Sequence, residues 1–187
     1  DFGIGFEQVD LNSEGEPDTI EIEKRLKAKK YKAVYIQRSR GYSLRPSLTV
    51  KKIGELVDLV KGISPETIIL VDNCYGEFVQ RNEPLSVGAD LIAGSLIKNP
   101  GGGIAPTGGY IAGKAALVEQ CAYRLTAPGV GKEVGASLGH NRELYMGLFA
   151  APHTTGEALK SAVFAAALFN KLGYESTPAY NAKRADI

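Results

Sequence analysis

Three side chains in this sequence have the types and spacing to do chemistry together. Asp72 directly follows the apolar run Ile68-Ile69-Leu70-Val71, so its carboxylate stands at the end of a buried strand. Desolvation there penalises the charged form, and a cationic partner is wanted to keep it ionised. The competing assignment is that Asp72 caps the next turn. Lys98 follows the apolar segment DLIAGS at residues 90–95 and precedes Asn99-Pro100 and the glycines at 101–103. A lysine between a core strand and a glycine run is poorly explained as solubilising charge. In a restricted pocket its pKa can fall, which makes it an amine nucleophile, and glycines let a ligand approach the backbone closely. Ser95 stands three residues before Lys98, so a helical turn would put both on one side.

The elements that must position these residues alternate in kind. Residues 6–11 read as a short strand. Asp18 can cap a helix over 19–30 with Ile20, Ile22 and Leu26 as its apolar members. AVYIQ at 33–37 is a second strand, and a polar loop over 38–46 follows it. Ser47 or Thr49 starts a helix with Ile53, Leu56, Val57 and Val60 on one face. TIILV at 67–71 reads as a strand covered on both sides. A helical turn over 84–88, the strand 90–95 and a short strand at 109–112 come next. The pattern is then helical over 115–125, 138–149 and 157–172, with Gly173 as the final stop.

This rhythm predicts an α/β fold with a mostly parallel sheet flanked by helices. Residues 1–150 form its core, and residues 151–187 form a helix and connection leading toward a C-terminal domain. Ligands in such sheets sit beyond the carboxyl ends of the strands, where Gln37-Arg38-Ser39-Arg40, Asp72-Asn73 and Ser95 to Lys98 all fall. The opening at Asp1 and the stop at Ile187 read as the ends of a piece of a longer chain.

The runs VDNCYGEF at 71–78 and PLSVGADLIAGSLIKNPGGG at 84–103 resemble the fold-type I pyridoxal-phosphate enzymes, in particular the Cys/Met-metabolism group. Within it the sequence is similar to the aluminium-resistance or cystathionine β-lyase-like proteins, also called the methionine γ-lyase family. The resemblance implies the large cofactor-binding domain of the aspartate-aminotransferase fold. It implies that Lys98 forms the Schiff base with pyridoxal 5′-phosphate, that Asp72 pairs with the protonated ring nitrogen, and that Ser95 holds the phosphate. Tyr75 fits the Asp-x-x-Tyr spacing by which aminotransferases bond the ring's phenolic oxygen. Two positions depart from the Cys/Met group, which more often has phenylalanine where Tyr75 stands and threonine where Ile97 stands. The family's phosphate-binding helix start and its ring-stacking aromatic would precede Asp1, and its substrate-binding arginine would follow Ile187.

The implied activity is carbon–sulfur lysis of a sulfur-containing amino acid by β- or γ-elimination, in a homodimer or homotetramer and in the cytoplasm, with this piece alone inactive. Transamination needs the same parts, and a non-catalytic structural fragment of the fold is the alternative from another class.

Among 187 residues, 44% are hydrophobic and 23% charged, and 22 basic against 21 acidic residues leave a formal charge of +1. No basic block with interleaved aromatics marks a nucleic-acid partner. The apolar run 162–169 is too short to span a bilayer. Cys74, Cys121, His140 and His153 share no metal-ligand spacing. His140 reads as a cap or as a hydrogen-bonding group between helices, and His153 as part of a Pro-containing turn. Arg38, Arg40 and Arg45 could reach the site, but read rather as surface or subunit-interface charge. Phe164, Leu168 and Phe169 read as helix core or interface.

Overall fold

The computed structural model describes residues 3–187. Asp18 starts the first helix as expected: its carboxylate accepts from the backbone N–H groups of Ile20 and Glu21, and α1 spans Thr19–Ala28. Strand β1 (Ala33–Gln37) follows. Thr49 caps α2 (Val50–Ile63) by accepting from Lys52 N at 3.1 Å. Strand β2 is Ile68–Asp72, a short 3-10 helix covers Pro84–Val87, and β3 is Leu91–Ser95. A second 3-10 turn at Asn99–Gly101 leads to β4 (Gly109–Gly113) and α3 (Ala115–Leu125).

The four strands lie in the order β1-β2-β3-β4, the first three parallel and β4 antiparallel to β3. This is the mostly parallel α/β sheet that the alternation of elements predicts. Register sets the two faces. Ile36 lies opposite Val71, and Val71 opposite Ile92, and all three are buried against Ile53, Leu56, Val57 and Val60 of α2 and Leu26 of α1. The other face carries Tyr35, Leu70, Asp72 and Ala93 and is only partly covered among the described residues. β2 is therefore covered fully on one side, where its apolar composition suggests both. α1 and α2 pack together on the same face.

Two further expectations give way. Residues 6–11 form no strand; apart from an isolated bridge between Leu11 and Pro17 this stretch is irregular. Residues 141–171 form one helix, α4 (Asn141–Lys171), which continues through Pro152. His153 thus lies inside a helix and in no turn. An interior proline costs roughly 3 kcal/mol in a helix, but here the surrounding turns are fixed by packing: Gly147 and Ala151 are buried against the 3-10 turn after Lys98. Phe164, Leu168 and Phe169 are exposed on this helix and do not form core. No helix among the described residues is long and apolar enough to cross a membrane.

At the end of the sheet away from the site, buried Asp90 ties the strands together. It accepts from Ile69 N at 2.7 Å, from Lys61 Nζ at 2.7 Å and from Lys114 Nζ at 2.6 Å. Burial pushes this carboxyl up, but the lysine and backbone donors more than offset it and hold its pKa below the usual value. Its contribution to stability is therefore complete above the ordinary carboxylate range, near pH 4, and is lost as pH falls through the lower folded value. Asp90→Ala should destabilise the protein by about 3 kcal/mol at pH 7. It should also flatten the acid limb of the stability profile, read by urea unfolding from pH 7 down to pH 3.

Candidate active site at the strand ends

β2 and β3 end side by side, with Asp72 opposite Ala93. Asn73 N extends the ladder by donating to Ala93 O at 2.8 Å. Asp72 then does what a turn cap does: its Oδ1 accepts from Cys74 N at 3.0 Å. Its second oxygen does something a cap does not need. Oδ2 accepts from the Tyr35 hydroxyl at 3.0 Å, across the β1–β2 boundary. Burial, with the Asp72 charge behind it, pushes the Tyr35 phenol up to about 12, so the phenol stays a donor.

The chain beyond Asp72 is held in an unusual path. Tyr75 and Phe78 both have positive φ, 67° and 62°, a conformation that costs non-glycine residues energy and persists only when the surroundings impose it. Those surroundings are a buried polar network. The Arg38 guanidinium, fully buried, donates to Asn73 Oδ1 at 2.7 Å, Glu83 Oε2 at 2.9 Å and Gln80 Oε1 at 3.3 Å. It passes directly over Gly76, where a Cβ would lie 2.5 Å from its Cδ and Nε. Tyr110 donates to Glu77 Oε1 at 2.7 Å and accepts from Asn73 at 3.2 Å. Burial pushes the Glu77 carboxyl up, opposed by the Tyr110 bond. Arg38 is thus a buried structural cation and not surface charge. Its fork of donors pairs with Glu83 beneath this loop while bonding Asn73 and Gln80. Arg40 and Arg45 instead bond neighbouring backbone carbonyls of their own loop.

Lys98 reaches the same place from β3. Ser95 ends the strand, and Lys98 N donates to Ser95 O at 3.3 Å, which is the turn that groups the two residues. The Lys98 ammonium lies over the Tyr75 ring, 4.4 Å from its centroid. Burial lowers the lysine pKa, but Cys74, Tyr75 and Asp72 outweigh it and the net direction is upward. This reverses the lowered value expected for a lysine in a restricted pocket: its polar and charged neighbours together outweigh desolvation. Burial raises the Cys74 thiol, reinforced by Asp72 and opposed by Lys98.

Two of the three glycines after Lys98, Gly101 and Gly102, are packed against the chain itself, and Gly103 faces open space. A Cβ on Gly101 would sit 1.7 Å from Leu96 O, and one on Gly102 would sit 2.4 Å from Gly147 O of α4. Gly102 also has φ 57°. Asn99 Nδ2 donates to Glu77 O at 3.0 Å, so the Lys98 turn, α4 and the 73–83 loop form one unit. The residues singled out by sequence, Asp72, Tyr75, Ser95 and Lys98, therefore cluster at adjoining strand ends. Tyr35, Cys74 and the Arg38–Glu83 network were not foreseen. Tyr35 carried a faint signal as the one hydroxyl-bearing residue in AVYIQ; the register that aims it at Asp72 is not readable from one strand.

This sheet and its helices belong to a fold shared with distant enzymes. A PLP-dependent aminotransferase from Streptococcus suis superposes on 87% of the chain at a TM-score of 0.59 and 14% identity, a likeness in fold alone. The family described as methionine gamma-lyase matches residues 1–187, and the chain belongs to that family. A 33.9 kDa protein encoded in the glnA 5′ region of Lactobacillus delbrueckii subsp. bulgaricus is 56% identical over 99% of the chain. A Listeria innocua structure named as a "putative cystathionine beta-lyase involved in aluminum resistance" is 56% identical over 99% of the chain, at a TM-score of 0.94. A Clostridium novyi NT structure named as a carbon-sulfur lyase involved in aluminum resistance is 51% identical over 99% of the chain, at a TM-score of 0.92. The chain spans 60% of the Lactobacillus relative and 45% and 44% of the two structures.

Proposed function

We propose that the chain is the cofactor-holding part of a pyridoxal-phosphate-dependent carbon–sulfur lyase acting on a sulfur-containing amino acid in a self-associating protein. The observation that carries this reading is the donor set at one strand-end edge: the Asp72 carboxylate, the Lys98 amine and the Ser95 hydroxyl on adjoining β2 and β3 ends. The set fits the group in kind. A carboxylate suits a protonated pyridine nitrogen, a primary amine suits an aldehyde, and a hydroxyl donates to phosphate. Tyr75, already against Lys98, would offer its hydroxyl to the ring's phenolic oxygen.

When bound, the cofactor supplies an electron sink for the charge left on the substrate's Cα. The chain's own residues do the rest. Lys98 Nζ takes the Cα proton and returns it, because a neutral amine at that point is a base. Asp72 holds positive charge at the ring nitrogen, with both of its oxygens pinned by Cys74 N and Tyr35. Cys74 lies next to Lys98 and, kept as a thiol by its surroundings, adds no second anion there.

The sulfur specificity draws on the name of the Clostridium novyi relative and on the family. Tyr75, in its Asp-x-x-Tyr spacing, favours transamination as the second reading. Incubation of the full-length, cofactor-loaded protein with cystathionine, methionine or cysteine, without a keto-acid acceptor, separates them. Catalytic release of thiol, ammonia and keto acid together is the expected result. Turnover that appears only on adding a keto acid, with no thiol, would make the protein a transaminase.

A further inference from the structure

We propose that Tyr35 is a positioning residue for the cofactor's ring nitrogen, acting through Asp72. The inference rests on the reading of Asp72 as the nitrogen's partner. β1 and β2 pair so that Tyr35 faces Leu70 and Gln37 faces Asp72, which puts the Tyr35 and Asp72 side chains on one face, a diagonal step apart. The phenol closes that gap with a 3.0 Å hydrogen bond to Oδ2.

Asp72 is thereby gripped at both oxygens, Oδ1 by the Cys74 backbone and Oδ2 by Tyr35. An ionised carboxylate offers about four acceptor sites, so two donors leave room for a ring N–H. The two donors are not equivalent. The Cys74 N–H is fixed by the turn and sets the plane of the carboxylate. The phenol spreads the carboxylate charge and makes Asp72 a weaker attractor of a ring proton. The other titratable groups around Asp72 are Cys74 on its own loop and Lys98 on the neighbouring turn. The Cys74 thiol also bears on the carboxylate, and the Tyr35 hydroxyl is the side-chain donor placed on Oδ2, at 3.0 Å, so removing that hydroxyl changes the charge available on that oxygen.

Tyr35→Phe removes only the hydroxyl and leaves the ring in β1. The test is made on the full-length protein stripped of cofactor, by measuring its affinity for pyridoxal phosphate and for 1-deazapyridoxal phosphate, in which a carbon replaces the ring nitrogen. The ratio of the two affinities reads the nitrogen's interaction with Asp72 and needs no turnover. Tyr35→Phe is expected to raise the preference for pyridoxal phosphate by about tenfold, with circular dichroism unchanged. In an Asp72→Ala background the same substitution should leave the ratio unaltered. A ratio unchanged or lowered in Tyr35→Phe overturns the proposal, and so does an equal rise in the Asp72→Ala background, since Tyr35 would then act by another route. Asp72→Ala alone keeps the two failures apart. If it leaves the full preference for the ring nitrogen intact, the assignment of Asp72 itself is what fails.

Discussion

Lys98→Ala, loaded with cofactor in the full-length protein, is expected to lose thiol release by about 10⁴-fold or more while its circular dichroism and thermal midpoint stay near those of the parent. The size of the loss follows from the amine's two duties. It is the covalent attachment point, and it is the base at the reacting carbon, a role worth about 10² to 10⁴ on its own. Among the described residues, three other lysines of the sheet and its helices are committed elsewhere. Lys61 and Lys114 are bound to Asp90 at the far end of the sheet, and Lys132 pairs with Glu119 on α3. The fold survives because the Lys98 turn is fixed by its neighbours: Asn99 to the Glu77 carbonyl, and Gly101 and Gly102 against Leu96 and α4. Steady-state assay of thiol release beside a thermal melt checks both halves. A variant with more than a few per cent of parental turnover would remove Lys98 from the mechanism.

The second large effect belongs to Asp72. Asp72→Asn keeps an oxygen for Cys74 N and another polar atom near Tyr35, so the turn persists while the charge is gone. Removing one partner of a charge pair in a water-poor site costs about 3–5 kcal/mol, which is about two to four decades in rate. Cofactor occupancy, carried by Lys98 and the phosphate contacts, should change far less. Titration of bound cofactor by absorbance, set against kcat, makes the comparison. A near-normal rate would reduce Asp72 to the turn cap that its bond to Cys74 N also makes it.

Much of this architecture is local and therefore legible in the sequence. Asp18 and Thr49 are caps because their side chains reach backbone donors two or three residues away. The strand 33–37 and the helix 115–125 are bounded by their own apolar patterns. The strand-end placement of Asp72, Ser95 and Lys98 follows from the runs that precede them. What failed depends on distant partners. Pro152 reads as a break, yet α4 continues through it because Gly147 and Ala151 dock on a turn some fifty residues earlier in the chain. Arg38 reads as surface charge because Glu83, Asn73 and Gln80, which make its burial tolerable, lie far along the sequence. Gly101 and Gly102 announce close approach correctly, but not that a carbonyl and a helix are what approach them, while Gly103 stays open. Tyr35 is tied to Asp72 only by the β1–β2 register.

The central claim is that Lys98 is the residue joined to pyridoxal phosphate, and one measurement tests it without depending on substrate or rate. Cofactor-loaded full-length protein is treated with borohydride, which fixes the lysine–cofactor bond as a stable amine, then digested and read by mass spectrometry. The account predicts the phosphopyridoxyl mass on the peptide containing Lys98. Stoichiometric label on Lys32, Lys114 or Lys132, with Lys98 unmodified, would contradict it.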